Sequence, residues 1–195
     1  MHYLDNAATT RVLPEAAEAE GMDRPRMALP ENQLELFERV ADANSNVAVI
    51  LSGGSAVELP FADRCRAIVT GYLGGQAGAG AMADVLTGSV NPSGKLAESW
   101  PLTYSDTPAC HFFPGTERTA EYREGPYIGY RYYDTAGVSV RFPFGHGLSY
   151  TTFAYSGISA TPRSVTFTLT NTGPMAGAEI AQIYVGKEDA KVFRP

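Results

Sequence analysis

The stretch ENQLELFERVADA, residues 31–43, places Leu34, Phe37, Val40 and Ala41 at helical spacing, with Glu31, Glu35, Glu38 and Arg39 on the other side. This predicts an amphipathic helix, and Pro30 suits its first position, where a missing N–H costs no helical hydrogen bond. The next segment, NVAVILSGG, is a continuous apolar run from Val47 to Leu51, ended by Gly53 and Gly54. Such a run predicts a parallel strand covered on both faces. The alternation continues with a helix-like stretch at Ala62–Arg66, a strand AIVTGYL from Ala67 to Leu73, a glycine-rich turn, and a helix AMADVLTG closed by Gly88. A short strand, KLAESW, follows the turn VNPSG. Strands alternating with helices predict an α/β unit with a mostly parallel sheet, flanking helices and right-handed crossovers.

From about Pro101 the periodicity is lost in a long stretch rich in Pro, Gly and Tyr that runs to the turn-like FPFGHGLSY. A loop of this length in a compact domain is commonly functional, and its aromatic content favours an ordered one. After Tyr150 the pattern becomes strict alternation. In RSVTFTLTN, Val165, Phe167 and Leu169 point one way and Thr166, Thr168 and Thr170 the other; the turn NTGPMAG then leads into EIAQIYV. This reads as the beginning of a β-sandwich, with about three strands against the roughly seven that close one. The chain is therefore expected to stop in mid-domain, leaving the face of Val165, Phe167 and Leu169 uncovered and residues 157–195 the least protected part outside the N-terminal tail.

Composition adds exclusions. The 195 residues are 44% hydrophobic and 18% charged. No apolar run approaches the roughly 20 residues of a membrane span. A net charge of −6 without a Lys/Arg cluster argues against nucleic acid. Cys65 and Cys110 match no zinc spacing and are expected to be buried free thiols. The start, MHYLDNAATT, lacks a basic region followed by an apolar stretch, so no signal peptide is read there and the cytoplasm is the expected compartment.

Few motifs carry chemistry. Gly78-Ala79-Gly80-Ala81-Met82-Ala83 is a formal GxGxxA after a strand, with Glu98 near the distance of a ribose-binding acid. Glycines at a strand-to-helix turn also serve close packing, and Glu98 sits in no clean strand end, which weighs against a nucleotide site. Gly147-Leu148-Ser149-Tyr150-Thr151 lacks the second glycine of a nucleophile elbow. His146 between Gly145 and Gly147 suits a turn histidine contacting backbone as well as a base. His2 and His111 form no ligand set with it, so no metal and no cofactor is expected.

The segment EYREGPYIGYRYYD, residues 121–134, gathers five of the eleven tyrosines around Glu121, Arg123 and Glu124. Aromatic faces exclude water from a carboxyl, which favours the protonated form a general acid needs, whereas a neighbouring arginine favours the carboxylate. Aromatic rings with hydroxyl tips also suit carbohydrate. The residues alone leave a solvated loop glutamate and a functional acid both open.

Taken together, EGMDRPRMALPENQLELFERV, NVAVILSGG, GGQAGAGAMADVLTGSVNPSGKLAESWP, EYREGPYIGYRYYD and FPFGHGLSYTTFAYS resemble the family 3 glycoside hydrolases, the β-glucosidase-like enzymes, in that family's order. The resemblance implies that residues 20–156 are part of the family's C-terminal α/β sandwich domain. It implies that residues 157–195 begin a fibronectin type III-like domain. It further implies a retaining hydrolase acting on β-linked glucosides, with Glu124, before Gly125, as the general acid/base. Pro126 stands where the family more often has a branched or aromatic residue, and Glu121 is the alternative position.

A retaining glycosidase needs a nucleophile and an acid/base about 5–5.5 Å apart. By the resemblance, the nucleophilic aspartate belongs to an N-terminal (β/α)₈ barrel that this chain lacks, and Asp84, Asp106 and Asp134 match no such motif. The chain by itself is therefore expected to be inactive, with a non-catalytic carbohydrate-binding or inert module as the alternative. Residues 1–19, HYLDNAATTRVLPEA within them, resemble the N-terminus of cysteine desulfurases. Lys95, Lys187 and Lys191 match no Schiff-base context, so residues 1–19 are expected to be a foreign segment without desulfurase activity.

Overall fold

The computed structural model describes residues 26–113, 115, 119–186 and 188–189. The segment 1–19, His2 included, and Lys187 and Lys191 lie outside the described residues. Helix α1 spans Glu31–Ala43, with Glu31 in its first turn favoured by the helix dipole. Pro30 stands one position earlier than expected, as the N-cap, and its carbonyl accepts from the amides of Gln33 and Leu34 at 3.0 and 3.3 Å. The apolar stripe of α1 turns inward. Phe37 is 2% exposed and stacks on Phe61 with ring centroids 4.4 Å apart. On its outer side Arg64 bridges Glu38 and Asp42, an exposed pairing that solvent screens and that adds little to stability.

Strand β1, Ala48–Leu51, pairs in parallel with β2, Ala67–Thr70, from Ala48 opposite Ala67 to Leu51 opposite Thr70. β1 is buried along most of its length, whereas β2 is half-exposed, so cover on both faces holds for β1 alone. A short 3₁₀ turn, Ala62–Arg64, replaces the expected helix between them. Helix α2, Gly78–Thr87, is closed by Gly88 as the sequence predicts. The core gathers Phe37, Val47, Val49, Leu51, Leu59, Phe61, Leu96 and Trp100.

KLAESW is not the expected strand. Only Trp100–Pro101 forms a ladder, β3, and it pairs antiparallel with β4, Val140–Phe142. Upstream of it Leu96 instead donates to the His146 carbonyl and accepts from the Gly145 amide, both at 2.8 Å, so this segment is held by a turn. Pro101 has no N–H to extend a ladder. The long irregular stretch also contains helix α3, Tyr130–Ala136.

The second unit is an antiparallel hairpin of β5, Phe153–Thr161, and β6, Ser164–Asn171, with a bulge between Ser156 and Ser159. Alternation in RSVTFTLTN thus marks a real strand, and Val165 and Leu169 are 38% and 39% exposed. EIAQIYV does not form a third strand among the described residues; it runs back across the α/β unit.

A polar clamp from the turn VNPSG holds this return. Asn91 Nδ2 donates to the Ala176 carbonyl at 3.0 Å, and the Ala178 amide donates to Ser93 Oγ at 3.0 Å. The ammonium of Lys95 lies 3.2 Å from Glu179, with both side chains largely buried, and also donates to the Gly147 carbonyl at 2.6 Å. Gly147 is packed so tightly that a Cβ there would run into the Gly94 carbonyl oxygen. Because that neighbour is backbone, Gly147→Ala is expected to destabilise the fold by about 1–3 kcal/mol, read as a drop in urea midpoint at unchanged slope.

Candidate functional site

Glu124 sits in a turn over residues 123–126 that closes with the Tyr127 amide donating to the Glu124 carbonyl at 2.9 Å. Gly125 follows at φ 55°, the left-handed conformation that favours glycine. The turn tolerates Pro126 in the next position. Oε2 of Glu124 is shielded from solvent and has no hydrogen-bond partner among the described residues. A shielded carboxyl oxygen without a partner is costly, and where it persists it calls for an occupant or a role.

The arginine beside it is engaged elsewhere. Nε of Arg123 donates to Glu121, and its guanidinium lies 5.0 Å from the Phe112 ring centroid. Glu121 is thus ion-paired and exposed, whereas Glu124 is neither paired with Arg123 nor fully open. Tyr122 is 84% exposed, so the tyrosines do not form one cluster around the carboxyl. They divide between the turn and α3.

Past the turn, Ile128, Gly129, Tyr130, Arg131 and Tyr133 enter the wall of a cleft of about 960 Å³. Its other walls include Glu98, Tyr104, Phe113, Phe144 and Tyr184; Glu124 is not among its lining residues. Tyr133 is buried, and its hydroxyl pKa is pushed up to about 12, first by burial and then by Asp106.

The other candidates resolve structurally. Residues Gly78–Ala83 form the body of α2 and not a loop before it, so no backbone cradle for phosphate precedes the helix. Glu98 accepts from the Tyr72 hydroxyl at 2.9 Å, and Tyr72 adopts φ 46°, the one positive value at a non-glycine residue among those described. No sequence signal short of that conformation pointed to Tyr72. Ser149 donates to Asn91 Oδ1 at 3.0 Å and serves the clamp. Cys65 and Cys110 are free but half-buried, short of the full burial expected of them.

His146 sits in a turn through its main chain, its carbonyl accepting from the Leu96 amide and its amide donating to the Pro143 carbonyl, and its ring stacks on Phe142 at 4.8 Å. Burial, reinforced by Lys95, lowers its pKa below the ordinary 6.5. The unfolded chain then takes up the proton more readily than the folded one. Stability is fully present above about pH 6.5 and lost as pH falls through the window between that value and the folded pKa. Thermal midpoints between pH 7.5 and 5 should fall less in His146→Gln than in the parent protein.

Among the described residues no helix is long and apolar enough to cross a membrane. The Glycosyl hydrolase family 3 C-terminal domain matches residues 5–150, a span that starts inside the segment 1–19. Thermostable beta-glucosidase B of Acetivibrio thermocellus is 49% identical over 199 residues, covering 98% of this chain and 26% of that protein. Exo-alpha-(1->6)-L-arabinopyranosidase of Bifidobacterium breve is 47% identical, covering 94% of this chain and 25% of that protein. The crystal structure of the GH3 beta-glucosidase of Bifidobacterium adolescentis aligns with a TM-score of 0.77 at 47% identity, over 83% of this chain and 25% of that one. These matches place the α/β unit among the glycoside hydrolases. The chain belongs to glycosyl hydrolase family 3, through that family's C-terminal domain. It spans about a quarter of the length of the curated relatives it matches.

Proposed function

We propose that the chain supplies the general acid/base, Glu124, to a retaining exo-glycosidase of the β-glucosidase type whose nucleophile comes from a separate barrel domain. The observation that carries this reading is the unpartnered, shielded Oε2 of Glu124, held on a turn whose arginine is committed to Glu121. A proton donor to a glycosidic oxygen needs a carboxyl placed against substrate and not already tied into an ion pair. The names of the relatives support hydrolysis of terminal glycosides, glucosides in one case and arabinopyranosides in another. On this reading residues 20–156 are part of an α/β sandwich and residues 157–195 begin a fibronectin type III-like domain, the boundary falling within β5. Residues 1–19 contribute no desulfurase chemistry.

The test uses an aryl β-glucoside, whose good leaving group makes turnover depend chiefly on a nucleophile. The purified chain alone should give no turnover. Turnover should appear when the N-terminal portion of the Acetivibrio thermocellus relative, up to the start of the aligned region, is added or fused. Hydrolysis by the unaided folded chain would place a nucleophile within it and overturn the proposal.

A further inference from the structure

We propose that the cleft beside α3 is a carbohydrate-binding site separate from the Glu124 turn, taking a neutral sugar of one or two pyranose units. This goes beyond the acid/base role of Glu124 and does not depend on it. The cleft, about 960 Å³, falls within the range of roughly 300–1,000 Å³ typical of small-molecule sites. Two of its aromatic side chains are open to solvent instead of collapsed into the core, Phe113 at 45% and Tyr184 at 61% exposed, while Tyr133 is buried. Tyr130 lies 5.2 Å from Phe144 at a tilt of 38° and meets Tyr184 nearly edge-on at 5.8 Å, so the three rings brace one another as a wall. The Tyr104 hydroxyl donates to the Phe113 carbonyl at 3.0 Å and fixes a further pair of aromatic residues on the lining. Exposed rings on a concave surface mark ligand grooves, and the C–H face of a pyranose is the complement of a flat ring.

Three charged residues line the wall, Arg26, Glu98 and Arg131; Arg26 is already engaged, and the other two give this apolar surface a direction. Glu98 has one carboxylate oxygen engaged by Tyr72, and its second oxygen has no hydrogen-bond partner among the described residues. The backbone of Tyr72 is held in a conformation an L-residue rarely adopts, with Ser52 donating to its carbonyl at 3.1 Å. Strain of this kind persists where the surrounding structure enforces it, commonly at functional sites, and its effect here is to fix Glu98 in the cleft wall. Arg131 stacks on the Tyr130 ring, its guanidinium carbon 5.2 Å from the centroid, and takes part in none of the ion pairs among the described residues.

One acceptor-only group and one donor-only group match hydroxyls, which both donate and accept. A phosphate would leave Glu98 repelled, a lone carboxylate cannot hold a metal, and an apolar peptide would bury both charges unpaired. A neutral sugar satisfies the rings and both charges together.

Trp100 is the only tryptophan and precedes Pro101, which lines the cleft, so intrinsic emission reports on occupancy. Titration of the purified chain with cellobiose should give a saturable change, matched by calorimetry. Glu98→Gln and Arg131→Gln, which keep size and polarity, should each weaken binding roughly tenfold to a hundredfold, the effect of losing one charged hydrogen-bond partner. Glu124→Gln should leave the affinity unchanged. Thermal midpoints equal to the parent's would show that the variants fold; where one does not, the other decides. Absence of saturable binding overturns the proposal, as does binding that survives both cleft variants or is lost with Glu124→Gln. Because the readout is binding without a barrel, its failure is distinct from failure of the hydrolysis test.

Discussion

In the barrel-complemented protein, Glu124→Gln is expected to lower kcat/KM for an alkyl β-glucoside by about 10²- to 10⁴-fold. An amide cannot deliver a proton, and an alkoxide is a poor leaving group, so the first bond cleavage carries the full loss. With a dinitrophenyl glucoside the leaving group departs unaided. The loss then moves to the second step, where a general base must activate water, and a burst of product should precede slow turnover. Azide, which attacks without base assistance, should restore the rate and yield a glycosyl azide. Glu121→Gln should change these rates only a few-fold, because Glu121 is exposed and already ion-paired with Arg123. A loss dependent on leaving group in Glu121→Gln but not in Glu124→Gln would move the acid/base role to the earlier residue.

The second large effect concerns stability. Phe37→Ala is expected to cost about 3–5 kcal/mol. Phe37 is 2% exposed, stacks on Phe61, and joins α1 to the strands through the shared core. Its removal leaves a cavity that neither the rigid strand β1 nor the clamped segment around Leu96 can close. Domains are typically stable by only about 5–15 kcal/mol, so the variant should lose a large part of its margin. Urea unfolding followed by Trp100 emission reads this directly, since Trp100 belongs to the same core. A change below about 1 kcal/mol would show that the site collapses and that α1 is less integral than its packing indicates.

Both predictions rest on features that were unequally legible in the sequence. Helix α1 was readable residue by residue because its stripe of Leu34, Phe37, Val40 and Ala41 has one period and one partner surface. Strand β1 was readable as an apolar run, and β6 as an alternation, because burial on two faces or one imposes those patterns locally. Helix α3 was hidden. Tyr130, Tyr132 and Tyr133 are better strand formers than helix formers, and the helix exists because Tyr133 is buried while Gly137 closes it in the left-handed conformation. KLAESW and EIAQIYV misled in the opposite direction. Each has a strand-like pattern, but a ladder needs a neighbour at the right place, and the neighbours here are the turn at Gly145–His146 and the clamp at Asn91, Ser93 and Lys95.

The site divides in the same way. Glu124 could be picked out by its motif, and Glu98 was visible only as an acid at a nominal spacing from a glycine-rich run. That Arg123 turns to Glu121, that Tyr72 fixes Glu98, and that Tyr104, Phe113 and Tyr184 share a cleft with α3 are long-range facts. The sequence by itself determined the helix and strands whose periodicity answers to a single buried face, the family, and the acidic, tyrosine-rich segment as a candidate. The tertiary structure alone decided which carboxyl is paired, which strand-like segments find a ladder, and which aromatics meet, because those outcomes depend on partners distant in the chain that no local pattern encodes.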